Sequence, residues 1–314
     1  MNEPLLSVEN LSVVFTTREG PHTPVSDVSF SLSAGETLGV VGESGSGKSL
    51  TMLSLLQLLP NGARAQAARA QLGDRDLLAL SRSDLDRIRG REIAIVFQDP
   101  LTALNPVVSV GRQITEVLRH HFKVDKTQAR IRAIELLSRV GISDPVLRLR
   151  QYPHEFSGGM RQRVTIAMAL AGEPRILIAD EPTTALDVTV QAQIVSLIAD
   201  LLAQTGMGVV WVTHDLALLA RIADRVMVMF AGRIMESASC EELFARPQHP
   251  YTRALLANLR ESTAPPPGAT ADPAPRGCPF ATRCAWAMDI CRSSMPPPTR
   301  AAHGGQVACW ALHP

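Results

Sequence analysis

Hydrophobic and polar positions alternate only in part over the first thirty residues, and later in the chain the alternation gives way to other periods. Residues 5–15 (LLSVENLSVVF) and 25–32 (VSDVSFSL) combine partial alternation with β-branched side chains, which predicts half-buried strands near an antiparallel edge. Residues 36–41 (ETLGVV) form a short apolar run ahead of a glycine, and predict a buried strand that enters a Gly-rich turn. After Lys48 the leucines of SLTMLSLLQLL recur at helical spacing, with Pro60-Asn61-Gly62 as the stop. From 99 to 155 the pattern changes to longer, charged, amphipathic stretches such as 110–122 and 126–140, which predicts a mostly helical sublobe inserted into the first. Residues 175–179 (RILIA) and 208–213 (GVVWVT) are continuous apolar runs of the kind covered on both faces, and 188–205 between them has helical periodicity. Strand alternating with helix argues for a doubly wound α/β core. Residues 225–230 and 233–235 flank Ala231-Gly232, a turn between two further strands.

Composition refines this picture. At 314 residues the chain exceeds the size at which a single core divides, so two lobes plus an appendage are expected. Hydrophobic residues make up 46% and charged residues 19%, an ordinary globular balance. The formal net charge of +1 leaves no footprint for bulk nucleic-acid binding, and no nucleic-acid partner is expected. No apolar run approaches the roughly 20 residues of a membrane span, and the first 30 residues lack a secretion-signal pattern. The chain is therefore expected neither to cross a membrane nor to be secreted. Beyond Arg260 the run STAPPPGATADPAPRG reads as a linker. Four of the five cysteines, Cys278, Cys284, Cys291 and Cys309, crowd into the tail that follows it.

The segment Gly42-Glu43-Ser44-Gly45-Ser46-Gly47-Lys48-Ser49 matches G-x-x-x-x-G-K-[ST] between a predicted strand and a predicted helix. Glycines let the backbone curl so that successive N–H groups face a triphosphate, at a helix N-terminus whose dipole favours anions. Lys48 would reach the terminal phosphates and the Ser49 hydroxyl would bind Mg²⁺. A plain Gly/Ser turn before a helix is the bland alternative, and the strand and helix flanks argue against it. The apolar run 175–179 leads into two carboxylates. Asp180 suits Mg²⁺ held through water, and Glu181 is placed to orient or deprotonate an attacking water.

Phe156-Ser157-Gly158-Gly159-Met160-Arg161-Gln162 resembles the signature motif of ATP-binding-cassette (ABC) ATPases. The remaining family motifs follow in order: Gln98 after IAIVF, Ala185-Leu186-Asp187 after Glu181, and His214 after GVVWVT. The resemblance covers about residues 5–240. It implies an α/β P-loop nucleotide-binding core with an antiparallel β subdomain, an inserted α-helical subdomain at about 99–172, and a small Cys-rich C-terminal appendage. The ATPase domain would be 1–260, and 261–314 the Pro-rich linker and Cys-rich extension. ATP would be bound by Phe15, Gly42, Ser44, Gly45, Ser46, Gly47, Lys48, Ser49, Leu50 and Gln98, and Mg²⁺ by Ser49, Gln98 and Asp180. Glu181 and His214 would be catalytic. Ser157, Gly158, Gly159 and Met160 would act in trans on the nucleotide of a second subunit, and Asp187 would couple the two sites of a head-to-tail dimer. Phe156 and Met160 stand where the family most often has Leu and Gln. Phe15 is the candidate for the adenine-stacking aromatic, with a core strand residue as the alternative.

Tyr152-Pro153-His154-Glu155, the run 247–255 (PQHPYTRAL) and the Cys-rich tail resemble the ATPases of oligopeptide, dipeptide and nickel importers. That likeness implies two integral-membrane permeases, a second ABC ATPase (a copy of this chain or a sister chain) and an extracytoplasmic solute-binding protein. It also implies a peripheral position on the cytoplasmic face of the cell membrane. The cargo would be peptides, with nickel or another small solute as the alternative. A soluble ABC ATPase acting on ribosomes or DNA is a further reading, disfavoured by a single phosphate loop and no long heptad run. A scaffold that binds ATP without turnover is disfavoured by Glu181 and His214. The four tail cysteines are separated by five, six and seventeen residues, without a C-x₂-C knuckle. A [4Fe-4S] cluster, zinc, or unligated thiols packing with Trp286 and Trp310 all stay open.

Overall fold

The computed structural model describes residues 3–18, 20–183, 186–261, 276–301 and 305–312. The linker expected beyond Arg260 falls largely on 262–275, outside the described residues. The chain divides into two compact units, one built on Ser33–Glu36 and Ala79–Val210, the other on Leu6–Leu32, Thr37–Leu78 and Trp211–Pro314.

In the second unit, strands Leu6–Thr17 and Gly20–Leu32 pair antiparallel, in registers from Leu6↔Leu32 to Phe15↔His22. The partial alternation now has a cause. Leu6 and Val8 face the core, then Leu11 and Val13, all at most 1% exposed, so the period slips by one residue between the pairs. The pairing shifts at the same place, where Asn10 takes φ 53° and its side-chain amide donates to Asp27 Oδ1 at 2.5 Å. A bulge therefore re-aims the strand without exposing its apolar set. Strands Ala63–Gln66 and Arg69–Leu72 pair with opposite ends of Leu6–Thr17, and Arg75–Asp76 extends the edge. The Ala, Arg and Gln content of this segment gives no strand signal, and pairing on an existing edge supplies the order instead.

Strand Thr37–Val41 is buried throughout and runs parallel to Arg225–Phe230, with Leu38↔Arg225 and Val41↔Val228. Arg225–Phe230 then turns back antiparallel into Arg233–Ser239 through Ala231 and Gly232. Both take positive φ, 44° and 80°, as a two-residue hairpin of this twist requires. Short strands Gln306–Val307 and Thr299–Arg300 continue this sheet from the C-terminal extension. Helix Lys48–Leu55 ends sooner than Pro60-Asn61-Gly62 implied. Gln57 adopts φ 50° and its amide donates to Leu77 O at 2.8 Å, so the chain leaves the helical path there.

In the first unit, Ile93–Val96 and Ile176–Asp180 pair parallel. Around them stand Arg82–Ile88, Pro100–Ala103, Val110–Phe122, Lys126–Arg139, Pro145–Arg148, Gly158–Leu170 and Val188–Thr205. Lys126–Arg139 buries Ala129, Ala133 and Leu137, one side chain per turn, and its first turn is capped by Asp125. Val188–Thr205, with a mean hydropathy of 1.2, is the one described helix whose length and composition would suffice for a membrane span. Its Ile194, Val195, Ile198 and Leu201 are buried on one face, the pattern of an amphipathic helix packed in a globular unit. Gly208–Thr213 begins in the first unit and ends in the second.

Candidate functional site

The phosphate loop follows strand Thr37–Val41 and precedes helix Lys48–Leu55, as the spacing predicts. A Cβ on Gly42 would lie 2.1 Å from Met229 O and 2.7 Å from Ser46 Oγ, so only glycine fits where the loop leaves the strand. Gly47 caps the helix at φ 92°, a left-handed conformation that side chains resist. The loop closes on itself: Ser46 N donates to Glu43 O at 3.1 Å, and Lys48 Nζ donates to Gly42 O at 2.8 Å and Glu43 O at 3.0 Å. Gly232 N, from the hairpin turn, donates to Ser46 O at 3.0 Å. Ser46 is 3% exposed, and its hydroxyl has no hydrogen-bond partner among the described residues. A buried hydroxyl beside a basic side chain and a curled backbone fits a phosphate oxygen. Ser44 and Gly45 lie exposed on the rim, while Ser49 and Leu50 are half-buried in the helix that follows.

His214 follows strand Gly208–Thr213 and is exposed. The turn is held by Asp215 N donating to Thr213 Oγ1 at 3.0 Å, while Asp215 Oδ1 accepts from Leu218 N at 3.0 Å. Phe15 is half-buried, opposite His22 on one side and Ala63 on the other.

In the first unit, Asp180 closes the buried strand Ile176–Asp180 and is 7% exposed. Glu181 turns out of that strand at φ 47°, a left-handed conformation for a side-chain-bearing residue and a strain on the order of 1–2 kcal/mol. Gln98 Nε2 donates to Glu181 Oε2 at 3.4 Å, a long contact between the side chains expected to sense metal and to activate water. The structure thus brings Gln98 and Glu181 together from two neighbouring strands. Ser157 caps helix Gly158–Leu170, its hydroxyl accepting from Met160 N at 3.3 Å. Ser157 and Gly158 are exposed, Gly159 and Met160 half-buried, so a bare helix N-terminus faces outward. A Cβ on Gly159 would meet Val190 Cγ1 at 2.6 Å. Phe156, the departure from Leu, is 3% exposed with the Arg148 guanidinium 5.9 Å from its ring centroid, so packing accounts for it. Asp187 Oδ1 accepts from Val190 N at 2.9 Å and caps Val188–Thr205. Ala185 lies outside the described residues.

Cys278, Cys291 and Cys309 are buried and Cys284 half-buried, all with free thiols. Burial pushes the Cys278 thiol up to about 11, and the other three thiols add to the shift, so the four lie within electrostatic reach of one another. Trp286 N donates to Cys284 Sγ at 3.3 Å. Among the described residues no group of three or more His, Cys, Asp and Glu side chains is placed to hold a metal ion. Trp310 Nε1 donates to Ser294 O at 2.9 Å, and Arg253 lies over the Trp286 ring at 4.6 Å. Nothing in the sequence pattern signals that Tyr251 and Arg283 touch the phosphate loop, yet both contact Glu43.

A phosphate loop, an acid pair closing a strand and a signature at a helix start define an ABC ATPase. The chain belongs to the ABC transporter family, whose model matches residues 25–184. A second model, the oligopeptide/dipeptide transporter C-terminal region, matches residues 235–291. The oligopeptide transport ATP-binding protein OppD of Bacillus subtilis is 47% identical over 99% of this chain and 89% of its own length. The dipeptide transport ATP-binding protein DppD of the same organism is 48% identical over 98% and 95%. Among solved structures, the dimeric post-hydrolysis state of the ATP-binding cassette MJ0796 bound to ADP and Pi matches with a TM-score of 0.65 and 27% identity. It covers 75% of this chain and 98% of that one. CbiO1 of Clostridium perfringens, part of the cbiONQ transporter complex, matches with a TM-score of 0.64 and 27% identity over 83% and 97%. The protein is an ATPase of a transporter.

Proposed function

We propose that this chain energises the import of di- and oligopeptides, working as one of two ATPase subunits beneath two membrane permeases served by an external solute-binding protein. The observation that carries the reading is a whole-length likeness to peptide-transport ATPases that extends through the C-terminal region. Its place would be the cytoplasmic face of the membrane. Leu101, Val107, Val146 and Leu147 of the first unit are exposed apolar side chains, more than half exposed each, of the kind that a permease contact would cover.

In this reading ATP lies along the phosphate loop with Lys48 released from Gly42 O and Glu43 O to the terminal phosphates, and the Ser46 hydroxyl bonds a phosphate oxygen. Ser49, Asp180 and Gln98 would hold Mg²⁺, which supplies charge neutralisation on the phosphates. Glu181 orients the attacking water and takes its proton, and His214 contacts the γ-phosphate. The signature residues Ser157, Gly158, Gly159 and Met160 serve the nucleotide of a partner subunit, which accords with their outward-facing helix start. Asp187 joins the loop that couples the two sites. Phe15, half-buried near the end of strand Leu6–Thr17, is the adenine-stacking candidate. An iron–sulfur cluster or zinc on the four tail cysteines is the finer reading, and it requires the thiols to draw together and lose their protons.

The test is capture of a tagged Glu181→Gln protein in mild detergent with ATP, followed by mass spectrometry. Two multi-span permeases are expected, with steady-state hydrolysis lower by about 10²–10⁴-fold, the usual worth of a general base. Recovery of ribosomal or DNA-associated proteins without a membrane partner would overturn the importer reading and leave the ATPase standing.

A further inference from the structure

The C-terminal extension grips the phosphate loop at one residue. Glu43, the first variable position of the loop, is held from three directions. Its backbone N–H donates to Tyr251 Oη at 3.1 Å, and its carbonyl accepts from Lys48 Nζ at 3.0 Å. Its carboxylate accepts from both terminal nitrogens of Arg283, Nη1 at 2.9 Å and Nη2 at 2.7 Å. This is the two-pronged geometry that makes arginine–carboxylate pairs specific.

The clamp is built, not incidental. The Arg283 side chain is only 5% exposed although Glu43 is 39% exposed, so the arginine is buried and the carboxylate reaches toward solvent. The guanidinium carbon lies 5.3 Å from the Phe230 ring centroid and 5.5 Å from that of Phe280. Tyr251 closes the box, 4.7 Å from Phe230 and 5.3 Å from Phe280. Three parts of the chain meet here: the end of the strand whose Met229 O abuts Gly42, the start of helix Pro250–Glu261, and the turns bounded by Cys278 and Cys284. Those turns are tied by Cys278 N donating to Cys291 O at 2.8 Å and Arg283 N donating to Phe280 O at 3.0 Å.

We propose that Arg283 is a positioning residue for ATP binding: the C-terminal extension, through Arg283 on Glu43, holds the phosphate loop in its nucleotide-ready curl and neutralises a carboxylate that would otherwise repel the triphosphate. Arg283 touches no reacting atom; it acts through Glu43. The inference rests on ATP occupying this loop and is independent of which solute is moved.

The test is a thermodynamic cycle on the full-length chain, with Mg²⁺ and a fluorescent ATP analogue as the probe. Analogue binding by the wild type keeps the ATP reading in place before any variant is compared. Arg283→Gln is expected to weaken binding about 5- to 30-fold, the factor that about 1–2 kcal/mol of lost positioning and charge neutralisation carries. In a Glu43→Gln background the same change should cost less than about twofold, because the charge to be neutralised is gone. Arg283→Lys keeps the charge and the stem but not the fork, and should fall between, roughly threefold weaker. It carries the test if the glutamine variant does not fold. Equal losses in both backgrounds would show Arg283 to be a structural residue of the extension, and unchanged binding would show the clamp to be idle. Either result overturns the proposal.

Discussion

The phosphate loop and the signature loop both open a helix with small residues, yet the chain treats them in opposite ways. At the phosphate loop every element near it is committed. Gly42 abuts Met229 O, Gly232 N reaches Ser46 O, and Glu43 is held by Tyr251 and Arg283. At the signature, Ser157 and Gly158 are exposed and one hydroxyl caps the helix. A site that must receive its ligand within one chain is pre-shaped by that chain. A surface proposed to complete another subunit's site is left uncovered, with packing only behind it, at Phe156 and Gly159.

Alanine where the phosphate loop leaves its strand, and alanine at the helix start of the signature, should sharpen this contrast most. Gly42→Ala places a Cβ 2.1 Å from a backbone oxygen, which cannot move without the hairpin strand that carries it. Loop distortion of about 3 kcal/mol is expected, and with it roughly a hundredfold weaker ATP binding by the isolated chain. Gly158→Ala meets nothing closer than Leu186 Cδ2 at 3.9 Å, so binding by the isolated chain should be unchanged. Titration calorimetry with ATP and Mg²⁺ on both variants decides it. Equal losses would mean that the signature is not separate from the chain's own nucleotide site.

The same contrast explains what could be read from the sequence. Segments whose order is local were legible: Val110–Phe122, Val188–Thr205 and Gly208–Thr213 carry their own period, and the phosphate loop its own glycines. Strands Ala63–Gln66 and Arg69–Leu72 were not, because they take their order from the edge of Leu6–Thr17 rather than from their own side chains. The bulge at Asn10 hid half of the alternation it preserves. The grip on Glu43 joins residues 208 and 240 positions apart, a separation across which no periodicity or spacing speaks. The strain at Glu181 was equally silent, since a left-handed glutamate looks like any other until its φ is measured.

Packing around the phosphate loop also carries a pH dependence. His249 is 1% exposed, its Nδ1 accepts from Tyr251 N at 3.0 Å, and burial lowers its pKa to about 4. A histidine held neutral in the fold contributes stability above its unfolded value of 6.5, and that contribution fades as pH falls toward 4. At pH 5 the loss is on the order of 2 kcal/mol. Glu236, whose carboxylate accepts from His249 N and Gln248 N, has a pKa raised by burial. Its contribution has the opposite sign, present below 4.5 and lost as pH rises through the raised value, so it offsets the histidine at the acid end. The histidine's share lowers the melting temperature between pH 7 and pH 5, and His249→Gln should remove that share of the slope whatever it does to the starting value. A slope unaltered by the substitution would move its origin elsewhere.

The smallest effect probes the exposed loop. Ser157 Oγ accepts from Met160 N at 3.3 Å, and removing such a cap costs about 1 kcal/mol. Ser157→Ala should lower the melting temperature by a few degrees and leave ATP binding by the isolated chain untouched, because nothing in the chain's own phosphate loop depends on that hydroxyl. Hydrolysis in the assembled transporter should fall by more than the lost cap explains, since there the same oxygen is proposed to face a partner's γ-phosphate. A Ser157→Asp variant separates the two roles. It restores the cap and favours the helix dipole, but sets a negative charge where a phosphate is to arrive. Recovered stability with hydrolysis still lost would assign the hydroxyl to the partner's nucleotide; recovery of both would reduce it to a cap.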